Sequence, residues 1–163
     1  MRILALDLGT KTGWALHEDG VTTSGTWVLA KSKEITELRK KDLDRCCDFR
    51  PGRLKQFIGS MHPLNYLYFE DVQFATSLLQ VQLWSSLRAM VWLQSPLCVV
   101  KAVDVGTLKK FATGKGNADK EHMAAAANRS GFINIGADDN EIDAWWLLQL
   151  ALKDLKNGAT LQT

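Results

Sequence analysis

Cysteine and proline are both scarce in this chain of 163 residues, which contains three of each. The cysteines are Cys46, Cys47 and Cys98; two of them are adjacent and no C-x-x-C pair occurs, so we expect neither a disulfide framework nor a structural zinc site. The sequence also lacks the roughly 20 consecutive apolar residues that a membrane span needs, and no small-residue cleavage site follows its first apolar run. These absences favour a cytoplasmic protein with reduced thiols and no membrane span.

Charge is nearly balanced overall but is segregated along the chain. The net charge is +2 and 46% of the residues are apolar, which predicts one compact domain over residues 1–163. Residues 31–55 hold nine Lys or Arg against five acids, residues 101–120 hold five lysines against two aspartates, and acids gather at 138–143. This distribution suits a basic surface around an acidic, metal-binding pocket, although ordinary solvated faces explain it equally well.

The order of apolar runs and chain breaks predicts an α/β protein with a mixed sheet. Three closely spaced strands indicate an antiparallel meander, and the later strands alternate with helices, which indicates crossover connections and parallel pairing. Residues 49–52 (Phe-Arg-Pro-Gly) are expected to break a helical pattern, and residues 157–158 (Asn-Gly) to end the last helix. The predicted strands are 2–8, 12–16, 21–29, 64–69 and 97–103, and the predicted helices are 32–48, 53–61, 76–93, 105–112, 118–129 and 139–156.

Acidic residues stand at the ends of two apolar strands and at the start of the last helix. Asp7 and Glu70 end the strands, where their side chains converge beside the sheet, and Asp143 lies on the same helical face as Asp139. Each acid has a simpler reading as well. Asp7 can cap the turn that follows it, Asp138 or Asp139 can cap the last helix, and Asp71 can compete with Glu70 for the inward position.

Several oxygen ligands drawn from distant parts of a chain are how proteins commonly hold Mg²⁺ or Mn²⁺. Two such ions can polarise a phosphodiester, activate water and stabilise the leaving oxygen. The spacing of the acids alone therefore predicts a metal-binding pocket.

Four segments, in order, resemble the RuvC family of Holliday-junction resolvases in the RNase H-like superfamily. They are residues 3–15 (ILALDLGTKTGWA), 68–72 (YFEDV), 108–121 (LKKFATGKGNADKE) and 138–144 (DDNEIDA). The resemblance extends over residues 1 to about 155. It implies a five-stranded mixed sheet whose first three strands are antiparallel, flanked by helices. It also implies Mg²⁺-dependent hydrolysis, with Mn²⁺ able to substitute, by a homodimer that acts on four-way DNA junctions.

The same resemblance implies that Asp7, Glu70 and Asp143 are catalytic metal ligands. The fourth ligand departs from the family pattern, because familiar resolvases carry Asp or His where this chain has Asn140. We expect the charged neighbour Asp139 to complete the set, with Asn140 as the alternative and Asp138 also open.

Lysines of the third segment are implied to contact the DNA backbone or the scissile phosphate. Lys109 and Lys120 match family lysines, Lys120 as a catalytic residue, and Lys110 and Lys115 are expected to be further DNA contacts. Phe74 is expected to be a further DNA contact, because it stands one residue from the position of an aromatic that stacks at the junction centre in the family. The alternative is that Phe74 is buried beneath the helix that follows. The long helix that follows is expected to contribute to dimer packing.

Other functions stay open at the level of sequence. One is a less selective nuclease for branched or flapped DNA, or an RNA-processing relative, and another is a silent binder of DNA structure. The hairpin after Asp7 also resembles the phosphate-binding hairpin of sugar kinases and actin-like ATPases, but a second such hairpin is not visible. The compact size and the departures from the bacterial pattern favour a phage or prophage origin.

Overall fold

The computed structural model describes residues 1–40, 48–72 and 77–160. Its strands are β1 (Arg2–Asp7), β2 (Lys11–Glu18), β3 (Val21–Val28), β4 (Tyr66–Asp71) and β5 (Val99–Asp104). Its helices are α1 (Ser32–Lys40), α2 (Arg50–Ser60), α3 (Leu78–Trp92), α4 (Val105–Thr113), α5 (Lys120–Arg129) and α6 (Asp139–Thr160). Across the described part of the chain, no helix has both the length and the apolar character needed to cross a membrane.

The strands form one sheet in the order β3-β2-β1-β4-β5. β1, β2 and β3 are successively antiparallel, whereas β4 runs parallel to β1 and β5 runs parallel to β4. This arrangement confirms the predicted mixed sheet with three antiparallel strands. The parallel pair β1–β4 lies at its centre, as expected for apolar strands that are covered on both faces.

Helices cover both faces of the sheet and form two apolar cores. On one face, α4, α5 and α6 contribute a core that contains Leu108, Met123, Trp145 and Trp146. On the other face, α2 and α3 contribute Leu54, Ile58, Leu87 and Val91. The central strands therefore have side chains buried on both sides, and this fixes the ends of β1 and β4 against each other.

Two predicted helix boundaries were wrong. α2 begins at Arg50, so Pro51 lies in its first turn instead of breaking the helix; proline is tolerated there because the first backbone N–H groups have no partner within the helix. α6 continues through residues 157–158 to Thr160. Of the helix predicted over 32–48, residues 32–40 are helical and residues 41–47 lie outside the described residues.

The first turn of α6 packs directly on β2. A side chain at Gly13 would collide with the backbone carbonyl of Asn140 and the backbone nitrogen of Glu141, so only glycine permits this approach. Across the sheet, Gly13 is the register partner of Asp7. The glycine therefore brings the start of α6 next to the end of β1.

Hydroxyl groups of β3 hold the same turn from the side. Ser24 donates to Glu141 at 2.6 Å and Thr26 donates to Asp138 at 2.6 Å. Asp138 also accepts the backbone N–H of Glu141 at 3.0 Å, which makes it the N-cap of α6. Glu141 is buried, with 5% of its surface exposed, and it accepts a second hydrogen bond from Asn134 at 2.5 Å.

Replacing Gly13 by alanine is expected to destabilise the fold, since the added methyl group must push α6 away from β2. The expected cost is about 1–3 kcal/mol, typical of overpacking, and urea denaturation measures it. Gly59→Ala is the matched control: an added Cβ there meets nothing within 4 Å, so that variant should be neutral or slightly more stable. Equal stability of the two variants would contradict the packing described.

Candidate functional site

Asp7 and Glu70 lie side by side at the carboxyl ends of the two central strands. The parallel register pairs Leu6 with Phe69, so the next residue of each strand is one of these acids. Glu70 is buried with 9% of its surface exposed, and Asp7 is partly buried. A side-chain hydrogen bond between the two carboxyl groups raises the pKa of Asp7 and acts to lower that of Glu70, and such a bond needs a proton on one of the two groups.

Asp143 joins this pair from α6. Burial, followed by the charges of Glu70 and Asp139, raises the pKa of Asp143 to about 7, against the opposing effect of Lys109 and Lys120. Burial and then the charges of Glu70 and Asp143 raise the pKa of Asp7 well above its usual range. Burial likewise raises the pKa of Glu70, opposed by the Asp7 hydrogen bond and by Lys109.

These three carboxyl groups repel one another when ionised, so their ionised form needs a cation nearby. Their hard oxygen atoms are the donors that Mg²⁺ and Mn²⁺ prefer, and in this respect the residues fit such an ion. Within residues 1–40, 48–72 and 77–160, no three His, Cys, Asp or Glu side chains already surround one point closely enough to hold a metal. The fit therefore rests on donor chemistry and mutual repulsion, and binding requires the side chains to move together.

The candidates for a fourth ligand differ in their present partners. Asp139 is half-exposed and forms an ion pair with Lys120 at 2.7 Å. The side chain of Asn140 hydrogen-bonds Asp138. Burial acts to raise the pKa of Asp138, but hydrogen bonds from Thr26, from the backbone of Glu141 and from Asn140 outweigh it, and the pKa is lowered. Asp138 thus caps α6, which is the simpler of the two roles expected for it, cap or metal ligand.

Two lysines approach the carboxylates from the side of α4 and α5. Lys109, on α4, is close enough for its charge to lower the pKa of both Glu70 and Asp143. Lys120 is the first residue of α5, held there by the N-cap Asp119. Its hydrogen bond to Asp139, and then the charge of that residue, raise the pKa of Lys120.

The other predicted DNA contacts are less closely tied to the acids. Lys110 and Lys115 are exposed, on α4 and in the loop after it. Gly114 ends α4 with φ of 81°, a left-handed conformation that favours glycine. Phe74 falls outside the described residues.

Asp71 does not compete with Glu70 for the inward position. Its carboxylate pairs with Arg88 of α3 at 3.0 Å, because successive strand residues point to opposite sides. Sequence reasoning missed the anchoring roles of Ser24, Thr26 and Glu141. Glu141 had one usable signal: it is two residues from both Asp139 and Asp143, and so belongs to a different face of the helix.

Asp7→Asn is expected to stabilise the metal-free protein at pH 8, because it removes a carboxyl group whose ionisation is opposed by burial and by the charges of Glu70 and Asp143. The raised pKa of Asp7 means that wild-type stability falls as pH rises above the ordinary carboxyl range, where only the unfolded chain has lost its proton. Asparagine cannot ionise, so the gain should shrink at pH 5. Urea unfolding with a chelator at both pH values measures it.

Asp154→Asn, on the exposed later part of α6, is the control and should leave stability unchanged. A gain for Asp7→Asn that is larger at pH 5 than at pH 8 would contradict the buried, repelling arrangement.

Comparison with known proteins finds matches among solved structures. No family model and no curated protein matches the chain, but solved structures do. T. thermophilus RuvC in complex with a Holliday junction substrate is similar with a TM-score of 0.64, at 16% identity over 90% of each chain. Another structure of Thermus thermophilus RuvC gives a TM-score of 0.56 at 18% identity, again over 90% of each chain. The yeast mitochondrial Holliday junction resolvase Ydc2 gives 0.53 at 14% identity, over 99% of this chain and 84% of the yeast protein. The chain therefore has the fold of the RuvC-type resolvases.

Proposed function

We propose that this protein is a metal-dependent endonuclease that cuts branched DNA, with four-way junctions as its preferred substrate. The observation that carries the proposal is the trio Asp7, Glu70 and Asp143. Two of these carboxyl groups stand at the ends of β1 and β4, and α6 brings the third close enough for their charges to interact. The fold is shared with a RuvC whose structure contains a Holliday junction substrate. Lysines beside acids suit a substrate that is a polyanion cut at a phosphate.

In this proposal Asp7, Glu70 and Asp143 hold Mg²⁺ or Mn²⁺, with Asp139 as the fourth ligand. When bound, such ions polarise the phosphodiester and activate water. The chain's own part is to fix the acids on rigid strands and on a helix anchored by β2 and β3. Lys120 and Lys109 supply positive charge for the scissile phosphate, and the Lys120–Asp139 pair holds that lysine next to the acids. Lys110 and Lys115 extend the cationic side toward the DNA backbone.

A homodimer is part of the proposal, because two cuts across a four-way junction need two sites. α3 supports it with an apolar surface that nothing in the described chain covers. Single exposed apolar residues are ordinary, whereas a group of them on one helix suits an interface. The exposed residues are Leu78, Leu79, Val81 and Trp92 of α3 and Leu93 directly after it.

A cleavage panel tests the function. With Mg²⁺ the protein should cut a four-way junction faster than three-way, flap, linear duplex or RNA–DNA hybrid substrates of the same sequence. Asp7→Asn should lower the junction rate by at least about 100-fold, since it removes a group placed at the reacting phosphate, while junction binding in a gel-shift assay stays within a few-fold. Asp154→Asn should cut like the wild type.

Equal rates on linear duplex and on the junction would replace the resolvase with a less selective nuclease. Normal cleavage by Asp7→Asn would contradict the assignment of these acids as metal ligands.

The fourth ligand is tested by metal affinity in the absence of DNA. Asp139→Asn should weaken Mn²⁺ binding by about tenfold or more, because a charged oxygen donor is lost from the set. Asn140→Ala should change it only slightly. Electron paramagnetic resonance titration with Mn²⁺ measures both variants without relying on activity, and the reverse order of effects would assign the position to Asn140.

A further inference from the structure

The connection between α5 and α6 exposes two isoleucines that the site described so far does not use. Ile133 has 89% and Ile135 has 99% of its surface exposed. Burying an isoleucine side chain stabilises a fold, so two that are displayed in water contribute none of that stabilisation. Isolated exposed apolar residues need no explanation, but these alternate with two anchored residues in a short loop.

Phe132 and Asn134, the two anchored residues, hold the loop in one orientation. Phe132 is buried, with its ring 5.2 Å from that of Trp145, and its backbone N–H bonds to Ala127 at 3.1 Å. Asn134 donates to the buried Glu141. The residues between and after these anchors are therefore turned outward by the alternation of the chain. Gly131 and Gly136, with φ of 90° and 91°, allow the sharp bends at either end.

The loop runs into the start of α6, the helix that carries Asp139 and Asp143. Glu141, which holds Asn134, is two residues from both Asp139 and Asp143. Ile135 precedes Asp139 by four residues, so their Cα atoms are at most about 15 Å apart. Through Glu141 the loop is also tied to Ser24 of the edge strand β3. The lysines of α4 follow β5, at the other edge of the sheet.

The side of the site toward β5 and the side toward the loop thus differ in the charge of their side chains. The β5 flank carries Lys109 and Lys110, which suit phosphates, whereas the loop of residues 131–137 has no charged residue. On the loop's side, Lys11 at the start of β2 is close enough for its charge to act on Asp138. A surface of this kind, apolar with a single cation beside it, suits bases and sugars with one backbone phosphate.

We propose that Ile133 and Ile135 contact unstacked bases of branched DNA on the β3 side of the cleavage site. This inference rests on the proposed function. Isoleucine is among the side chains that insert between base steps and hold DNA in an unstacked form, and the bases at a branch point are easier to unstack than those within a duplex. A second copy of the chain is a poorer fit, because the apolar surface of α3 lies on the opposite face of the sheet.

The test replaces both isoleucines with threonine, which keeps the branched shape but adds a hydroxyl. The substrate is a four-way junction with 2-aminopurine at the branch point, studied without metal so that it is bound and not cut. Wild type should raise the fluorescence as the base unstacks. Ile133→Thr/Ile135→Thr should lose most of that rise and bind about tenfold more weakly, in the range expected for losing one base contact. Binding to linear duplex should be unchanged.

Val21→Thr is the matched control, since Val21 is exposed at the far end of β3 and should leave all readouts unchanged. The unfolding midpoint of the double variant should stay near that of wild type, and the two single variants serve if it does not fold. Wild-type fluorescence and affinity in the double variant would overturn the inference. So would a lower mass in light scattering, which would assign the loop to a second copy. A wild type that neither binds nor cuts branched DNA would instead refute the proposed function itself.

Discussion

The first turn of α6 rests on the backbone of β2, and the position of the site depends on this contact. Side chains normally separate a helix from the sheet on which it packs, but Gly13 has none opposite Asn140. The contact is reinforced by the β3 hydroxyls on Asp138 and Glu141. Because Gly13 is paired with Asp7, the same contact that seats the helix also brings Asp143 to the end of β1.

The close approach of the three carboxyl groups destabilises the folded protein. Asp7, Glu70 and Asp143 oppose one another's ionisation, and the surrounding cores keep them from moving apart. Ion pairs such as Lys120–Asp139 relieve only part of this repulsion, since that lysine is largely exposed and solvent screens it. The free energy of unfolding is therefore lower than the packing around these residues alone would give, as is common where a protein carries a functional site.

The sequence predicted the sheet well because its strands are short apolar runs with breaks between them, a strong local signal. The acids at the ends of β1 and β4 followed from the same signal. The boundaries of α2 and α6 did not, because a proline in a first turn and an Asn-Gly pair near a helix end have more than one allowed outcome. Asp138 could be read as a cap or as a ligand, and only its contacts with Thr26 and Glu141 separate the two. The hydroxyls of β3 gave no signal, since Ser24 and Thr26 look like ordinary strand residues until α6 is placed on them.

The distance along the chain between the acids of the site also bears on the order in which the structure forms. Asp7 is near the amino terminus and Asp143 is 136 residues later, so the acidic site is complete only when the first strand and the last helix have met. Contacts of such long sequence separation form late in folding, because the entropy of closing the chain must be offset first. A chain still emerging from the ribosome has β1, β2 and β4 before it has α6. It therefore passes through synthesis without a complete set of carboxylates, and the acidic site exists only in the finished fold.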